Sequence, residues 1–318
     1  MHSTDRRPRE LILCICTCGR PAGLERVLRA VDGLEWPEGE MPSFAVVVVD
    51  NLPDGRARDV VERLRGFFRW PLHFVEEPER GISQARNRAV AEALALGAEF
   101  VAFVDDDDVP KPDWLWWLWK RQRETGADLV FGGWVLVLRP DASPLARAFK
   151  ERQDRSAIAA DKFGLPGRAA TRNVLIGRRV LERLNARDGI VFSPKFDACG
   201  GEDTEMFYRA LASGSRCISC NESIVEVSVP GGFVWILRRQ FRYGYAHVHI
   251  MKNLGRKPEN VAKTIYLIAK HAVLIATFPI AENIVVRIAK IARRLGQLRA
   301  RLPGEFRYYG RASRHTEQ

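Results

Sequence analysis

Apolar residues gather along the chain in short runs, and between the runs they recur at helical spacing. Glu10–Cys16 (ELILCIC) reads as a buried strand, Thr17–Arg20 as a turn, and Pro21 as the opening of a helix with apolar positions Leu24, Val27, Leu28 and Val31. Phe44–Val49 is a second buried strand, ended by Asp50-Asn51 and a Pro53-Asp54-Gly55 turn. A helix follows with Val60, Val61 and Leu64 on its apolar face, then a short strand, Leu72–Val75. Ile82–Leu96 reads as a helix stopped by Gly97, and Glu99–Val104 as a fourth strand. Trp114–Glu124 is a further helix and Leu129–Leu138 a strand or hairpin.

Strands that are apolar on both faces, alternating with helices, predict an α/β fold with a mainly parallel sheet covered by helices. In such sheets ligands bind beyond the carboxyl ends of the strands. Three of the four strand ends carry polar residues, and the chemistry is sought there.

Asp105-Asp106-Asp107-Asp108 follows directly on the fourth strand. Adjacent carboxylates repel, which a solvated acidic turn or a helix cap tolerates, and Asp108 before Pro110 suits a cap. In extended chain, however, residues i and i+2 point the same way, so Asp105 and Asp107 can converge on one point. Hard oxygen ligands suit Mg²⁺ or Mn²⁺, above all where diphosphate oxygens complete the shell. Further on, Gly200-Gly201-Glu202-Asp203-Thr204-Glu205 precedes apolar Met206, Phe207 and Leu211 at helical spacing. The glycines permit a sharp turn into a helix whose dipole favours an ionised Glu202 or Asp203. Such a carboxylate serves either as a cap or as a general base.

The motifs taken in order resemble those of family 2 glycosyltransferases with the GT-A fold, in particular glucosyltransferases of bacterial exopolysaccharide assembly of the succinoglycan kind. They are Cys16-Thr17-Cys18-Gly19-Arg20-Pro21, Val48-Val49-Asp50-Asn51, Gly81-Ile82-Ser83-Gln84-Ala85-Arg86-Asn87, Phe103 to Asp108, Pro112-Asp113-Trp114-Leu115, Arg172-Asn173 and Gly200 to Glu205. The resemblance implies a Rossmann-like nucleotide-diphospho-sugar transferase, with a mixed, mostly parallel sheet, helices on both faces and a C-terminal helical extension. It implies a catalytic domain over residues 9–230 and a basic helical region over 231–318. Residue by residue it implies that Thr17 and Arg20 line the nucleotide pocket and that Asp50 meets the uracil ring. Arg86 and Asn87 would lie near the nucleotide and donor sugar, and Asp105 at the ribose and metal side. Asp106 would join the donor pocket, Asp107 would ligate Mg²⁺ or Mn²⁺, and Asp203 would be the catalytic base with Glu202 beside it. Asn173 falls in a stretch that faces the acceptor. The chain departs from the family pattern at Asn51, where a second acidic residue is common.

Composition adds one point. Hydrophobic residues make up 46% of the 318 positions and charged residues 28%, which excludes a disordered or fibrous chain. The net charge is +11, and from Lys252 to the end there are 14 basic and 4 acidic residues, so the excess sits in the last fifth. There, Thr264–Ala281 approaches membrane-spanning length but is interrupted by Lys270, His271 and Pro279. Ile284, Val285, Ile288, Ile291, Ala292 and Leu295 then recur opposite Arg287, Lys290, Arg293 and Arg294. This predicts a cationic helix lying on an anionic membrane surface or, failing that, a helix packed on the body with a solvated basic face.

Other features are weaker. Arg238 to Tyr243 forms a basic-aromatic stretch that reads as a diphosphate clamp or as a helix face, and His247 and His249 are spaced for one strand face. Trp114, Trp116, Trp117 and Trp119 cannot all face one core side of a helix, so they read either as partly exposed to a sugar or a membrane interface or as a wide hydrophobic packing face. Cys14, Cys16 and Cys18 alternate on a strand and read as reduced thiols, while Cys217 and Cys220 lack the partners of a zinc site. The apolar run after the polar start is too short for a signal-peptide core. A cytoplasmic protein at the inner face of the cell membrane is expected. Its expected partners are a nucleotide-sugar donor and a polyprenol-linked oligosaccharide or polysaccharide acceptor, with no nucleic acid. The alternatives are a nucleotidyltransferase acting on sugar phosphates and a non-enzymatic, basic-tailed protein binding an anionic polymer.

Overall fold

The computed structural model describes residues 10–52, 54–154, 160–161, 164–167, 169–229, 232–277 and 281–304. The polar N-terminal segment, Pro53, Pro279 and the residues at the expected 230/231 boundary lie outside these. By internal contacts the chain divides into two compact units that interleave along the sequence. The first comprises Met1–Val137, Ile158–Pro194 and Met206–Ser228; the second comprises Leu138–Ala157, Lys195–Glu205 and Val229–Gln318.

The first unit is built on β1 (Leu11–Thr17), α1 (Pro21–Asp32), β2 (Phe44–Asp50), α2 (Arg56–Arg65), β3 (Leu72–Glu76), α3 (Ile82–Ala95) and β4 (Phe100–Asp105). β5 (Asp108–Pro110), α4 (Trp114–Thr125) and β6 (Leu129–Leu138) follow. The unit is completed by β7 (Val174–Gly177), α6 (Arg178–Asp188), most of α7 (Glu202–Ala212) and β8 (Cys217–Val229). Eight strands among the described residues form one sheet in the order β3-β2-β1-β4-β7-β6-β8-β5. The first four pair in parallel, β7 runs antiparallel to β4 and β6, and β5 runs antiparallel to β8. The expected mixed, mainly parallel α/β sheet is therefore present, and Leu129–Leu138 is one strand. β1 and β2 are buried almost throughout because both faces are covered by helices. Leu24, Val27, Leu28 and Val31 of α1 and Trp114, Leu115 and Leu118 of α4 pack in the same core.

The four tryptophans of α4 divide their work. Trp114 and Trp119 are buried, the latter edge-on to Phe100 at 5.6 Å. Trp116 and Trp117 are half-buried and donate their indole N–H groups to Glu40 (2.7 Å) and Asp113 (2.8 Å), with the Lys120 ammonium over both rings. Two rings therefore serve the core and two sit amphipathically at its rim.

The second unit is helical: α5 (Pro144–Asp154), the first turn of α7, α8 (Phe233–Asn253), α9 (Val261–Thr277) and α10 (Ala281–Arg299). α8 and α10 cross at two glycines. A Cβ on Gly244 would lie 1.8 Å from the Arg293 carbonyl oxygen, and one on Gly296 would lie 1.9 Å from that of Phe241. Backbone meets backbone there, and any side chain at either position would force the helices apart. His247 and His249 stand on α8, so two-residue spacing does not bring them to one face as a strand would; the His249 ring lies against Tyr245, 4.6 Å away. The Arg238 to Tyr243 stretch is a face of the same helix, where Arg239 donates to the Tyr243 hydroxyl (2.6 Å). Of the apolar row expected to face lipid on α10, Val285 is buried, Ile284, Ile288, Ile291 and Ala292 are half-buried and Leu295 is exposed, while α10 as a helix lies against α8, α9 and α5. No helix among the described residues is long and apolar enough to cross a membrane.

Candidate active site

The parallel register brings the polar strand ends level. Thr17 is opposite Asp50 across β1 and β2, and Cys16 is opposite Asp105 across β1 and β4. Each strand runs one residue past its apolar run, so Thr17, Asp50 and Asp105 are its last residue. Asp106 and Asp107 form the turn after β4. Asp108 opens β5 and is held in place by pairing with Val227 of β8.

Three arginines knit the four carboxylates together. Arg20 binds Asp106 at 2.8 Å and Asp107 at 2.6 Å. Arg86 donates to Asp105 Oδ1 at 3.3 Å. Arg172 reaches Asp105 Oδ2 at 3.3 Å and Asp108 Oδ1 at 3.0 Å. Burial pushes the Asp105 carboxyl up, but Arg172, Arg86 and Arg20 together hold it below its ordinary value. Asp106 behaves oppositely: its burial outweighs the pull of Arg20, and with Asp107 beside it the carboxyl is pushed up to about 7. Thr17 donates to the second oxygen of Asp106 at 2.6 Å. Asp106 is thus buried and anchored, while Asp105, Asp107 and Asp108 each bring a carboxylate oxygen within 4.8 Å of the others. That donor set, all hard oxygens at close quarters, fits Mg²⁺ or Mn²⁺.

The rest of the expected pocket is arranged by backbone clamps. Asp50 is buried; its Oδ1 accepts the Leu52 N–H at 3.0 Å, and its Oδ2 has no partner. Burial raises the Asp50 carboxyl against that hydrogen bond. Asn51 donates to the carbonyls of Glu77 (2.9 Å) and Glu79 (2.7 Å) and accepts the Gly81 N–H (2.9 Å), so it staples the loop between β3 and α3. A carboxylate there has no N–H to donate, which explains the departure at this position in physical terms. Asn87 exchanges two 2.8 Å hydrogen bonds with the backbone of Phe192, and Ser83 donates to Ser193 O at 3.0 Å. The Arg86 guanidinium stands over the Phe192 ring at 5.9 Å. α3 thus fixes the 192–193 segment through three residues on one face.

Asn173 does not present its amide to an open surface. It is buried, donates to Gly133 O (2.7 Å) and Ser223 O (3.2 Å), and accepts from the Ser223 hydroxyl (3.1 Å). A Cβ on Gly132 would stand 2.2 Å from its side chain, so glycine makes room for this bridge between β6 and β8.

In the second unit, Gly200 and Gly201 take φ of +77° and +99° and turn the chain into α7. Glu202 is buried and Asp203 half-buried in the first turn. Asp203 Oδ1 accepts the Thr204 N–H at 2.6 Å and the Thr204 hydroxyl at 3.2 Å, and Glu205 accepts from Asn253 of α8 at 2.8 Å. Asp203 is therefore oriented by its neighbour at the positive end of a helix.

Of the residues singled out in the sequence, Thr17, Arg20, Arg86, Asp105, Asp106 and Asp107 meet in one network, with Asp50 on the adjoining strand. Asn87 turns to Phe192, and Glu202 and Asp203 belong to the helix start in the second unit. Two participants were not foreseen as such. Asp108 opens β5 and brings a carboxylate oxygen to a set capable of holding a cation, and Arg172 is the counter-charge that joins it to Asp105. The run of four aspartates gave a signal for the first, while for the second the Arg172-Asn173 motif marked a position without a role.

Glycosyl transferase family 2 matches residues 12–184, more than half of the chain. Succinoglycan biosynthesis protein ExoM of Rhizobium meliloti is 30% identical over 241 residues, 74% of each chain. Among solved structures, the mannosyltransferase PcManGT of Pyrobaculum calidifontis, in complex with GDP-Man and Mn²⁺, superposes with a TM-score of 0.57 at 20% identity, over 92% of this chain and 88% of that one. S. aureus TarS in complex with UDP-GlcNAc gives 0.52 at 15% identity, over 90% and 89%. At those identities the structures speak for the fold, and the sequence matches speak for kinship. With its strand-end carboxylates and its GT-A sheet, the chain belongs to glycosyl transferase family 2 and is a nucleotide-sugar-dependent glycosyltransferase.

Proposed function

We propose that this enzyme is an inverting, divalent-metal-dependent hexosyltransferase. It moves a sugar from a UDP-sugar, UDP-glucose in the first place, to a polyprenol-linked oligosaccharide or other polysaccharide precursor. The single observation that supports this most is the convergence of Asp105, Asp107 and Asp108 within 4.8 Å, at strand ends held level by the parallel register. The orphaned, buried Oδ2 of Asp50 suits an N–H donor such as the uracil imide, which favours a UDP donor. The likeness to a succinoglycan biosynthesis protein supports a polysaccharide precursor as acceptor.

Asp105, Asp107 and Asp108 would hold Mg²⁺ or Mn²⁺, which supplies neutralisation of the charge growing on the diphosphate leaving group. The remaining work falls to the chain. Arg20, Arg86 and Arg172 keep the carboxylates oriented before substrate arrives. Thr17 anchors the turn through Asp106, and Asn87 keeps the pocket wall in place through Phe192. Asp203, oriented by Thr204 with Glu202 beside it, accepts the proton of the acceptor hydroxyl as that oxygen attacks the anomeric carbon. The C–O bond to the diphosphate breaks on the opposite face, so one displacement inverts the centre and an α-linked donor gives a β-glycoside. The acceptor's lipid places the enzyme at the anionic inner surface of the cell membrane.

UDP release from a panel of UDP-sugars, with and without Mn²⁺ or Mg²⁺, tests this reading. Turnover of one donor that needs the cation and disappears in Asp107→Ala is expected. Asp203→Asn is expected to keep UDP binding and lose turnover by about 10²- to 10⁴-fold. Full turnover in Asp203→Asn would remove the residue from the chemistry.

A further inference from the structure

α9 turns the wrong kind of surface to water. It has one buried residue, Thr264, and its inner side is completed by half-buried Leu267, Ile268, His271, Leu274 and Ile275. On the outer side, Val261, Ile265, Ala269, Ala272 and Ala276 follow one another at i, i+4, i+8, i+11 and i+15, with Ala262, Tyr266 and Val273 alongside, and all eight are exposed. Val261 is 46% exposed, Ile265 53%, Tyr266 63% and Val273 59%. A surface helix normally turns charged residues outward. This one presents an arc of about 140° without a charge, since neighbouring residues on a helix are about 100° apart. Lys263 and Lys270 stand along one edge of the arc.

The flanking charges decide what covers it. α9 contains two lysines and no acidic residue, and α10 five cations against Glu282. Lys290 and Arg293 of α10 are exposed, and Lys270, Lys290, Arg287 and Arg294 all bear electrostatically on His271 at the seam between the two helices. Glu259 pairs with Lys263 and Arg294, and Glu259 and Glu282 are the two acidic residues of this band among the described residues. A second copy docking through this face would bring like-charged edges together. An anionic lipid surface offers apolar depth for the arc and negative head groups for its rim. At ~1.5 Å per residue the helix is about 25 Å long, short of the ~30 Å hydrocarbon layer, so it suits lying in the interface and not crossing it.

We infer that α9, and not the more cationic α10, is the membrane-inserting element of this enzyme, with Val261, Ile265, Tyr266 and Val273 entering the head-group boundary of an anionic bilayer. The inference builds on the proposed membrane-borne acceptor, but it is tested with no sugar substrate present, so the two can fail separately.

The test is co-sedimentation of the full chain with phosphatidylcholine vesicles, with and without phosphatidylglycerol. Wild type is expected to pellet with the anionic vesicles. The double variant Ile265→Glu/Val273→Glu is expected to lose binding by at least about tenfold, because two apolar anchors become charges at the interface. Lys270→Glu is expected to weaken binding less and to flatten its salt dependence. All these side chains are exposed or on the rim, so an unchanged melting temperature and circular dichroism spectrum confirm that the variants fold. Vesicle binding of the double variant equal to wild type would overturn the inference. So would absence of wild-type binding accompanied by dimerisation in sedimentation velocity that the double variant abolishes, which would assign the face to a second copy.

Discussion

Replacing Asn51 by aspartate keeps the outline of the side chain and removes its N–H groups. The carbonyls of Glu77 and Glu79 would then face an acceptor, and the loop before α3 would lose its staple. Asn51→Asp is expected to cost about 2–4 kcal/mol in urea unfolding, the range for buried donors lost and carbonyls left unpaired. Arg172 makes a second case. Its removal leaves Asp105 and Asp108 without their shared counter-charge, so Arg172→Ala is expected to destabilise the metal-free protein by about 3 kcal/mol. Mn²⁺ should recover more stability in this variant than in wild type, because a cation relieves the added repulsion; an equal rise in melting temperature for both would count against that role. The acidic run could be read from the sequence because its members are adjacent and close an apolar strand. Asn51, Asn173 and Arg172 could not be read in the same way, because their roles depend on partners 26 to 67 residues away and on which polar atoms those partners offer.

At the scale of elements, the close crossing of α8 and α10 has no slack. Gly244→Ala would place a methyl group inside the contact distance of the Arg293 carbonyl. The helices would have to separate, with an expected loss of about 3 kcal/mol, at the upper end for overpacking. Hydrogen exchange should show faster exchange in α8 and α10 while β1, β2 and β4 stay protected; uniform change across the chain would argue against a local cause. β1, β2 and β4 were legible to within a residue because strands covered on both faces are apolar along almost their whole length, and the half-buried edge strand β3 was legible from Leu72, Phe74 and Val75. β5 was not, since three residues hold no period and its partner β8 lies more than a hundred positions away. The histidines at 247 and 249 suggested a strand because two-residue spacing is a strand's period, but the helix around them is set by longer-range packing. Nor could the repeat of apolar residues along α10 show that Val285 would be buried and Leu295 exposed, because packing against α8 and α9 decides which positions are covered.

For the whole molecule, the sequence showed one basic region after a neutral body, yet the two compact units interleave in three segments each and no compositional shift marks the joins. The balance of charge within the first unit has a consequence for how the enzyme responds to ionic strength. Four aspartates meet three arginines at the strand ends, leaving at most one net negative charge in that cluster. A nucleotide-sugar diphosphate has about two negative charges, and a divalent cation cancels them. Donor and cation together therefore add no net charge to a nearly neutral pocket, and their affinity should change little between dilute buffer and about 0.5 M salt, where the screening length falls below ~5 Å. The membrane attachment proposed through the cationic rim of α9 and α10 should weaken steeply over the same range. Salt is thus expected to strip the enzyme from the bilayer while leaving its donor bound, separating where it works from what it holds.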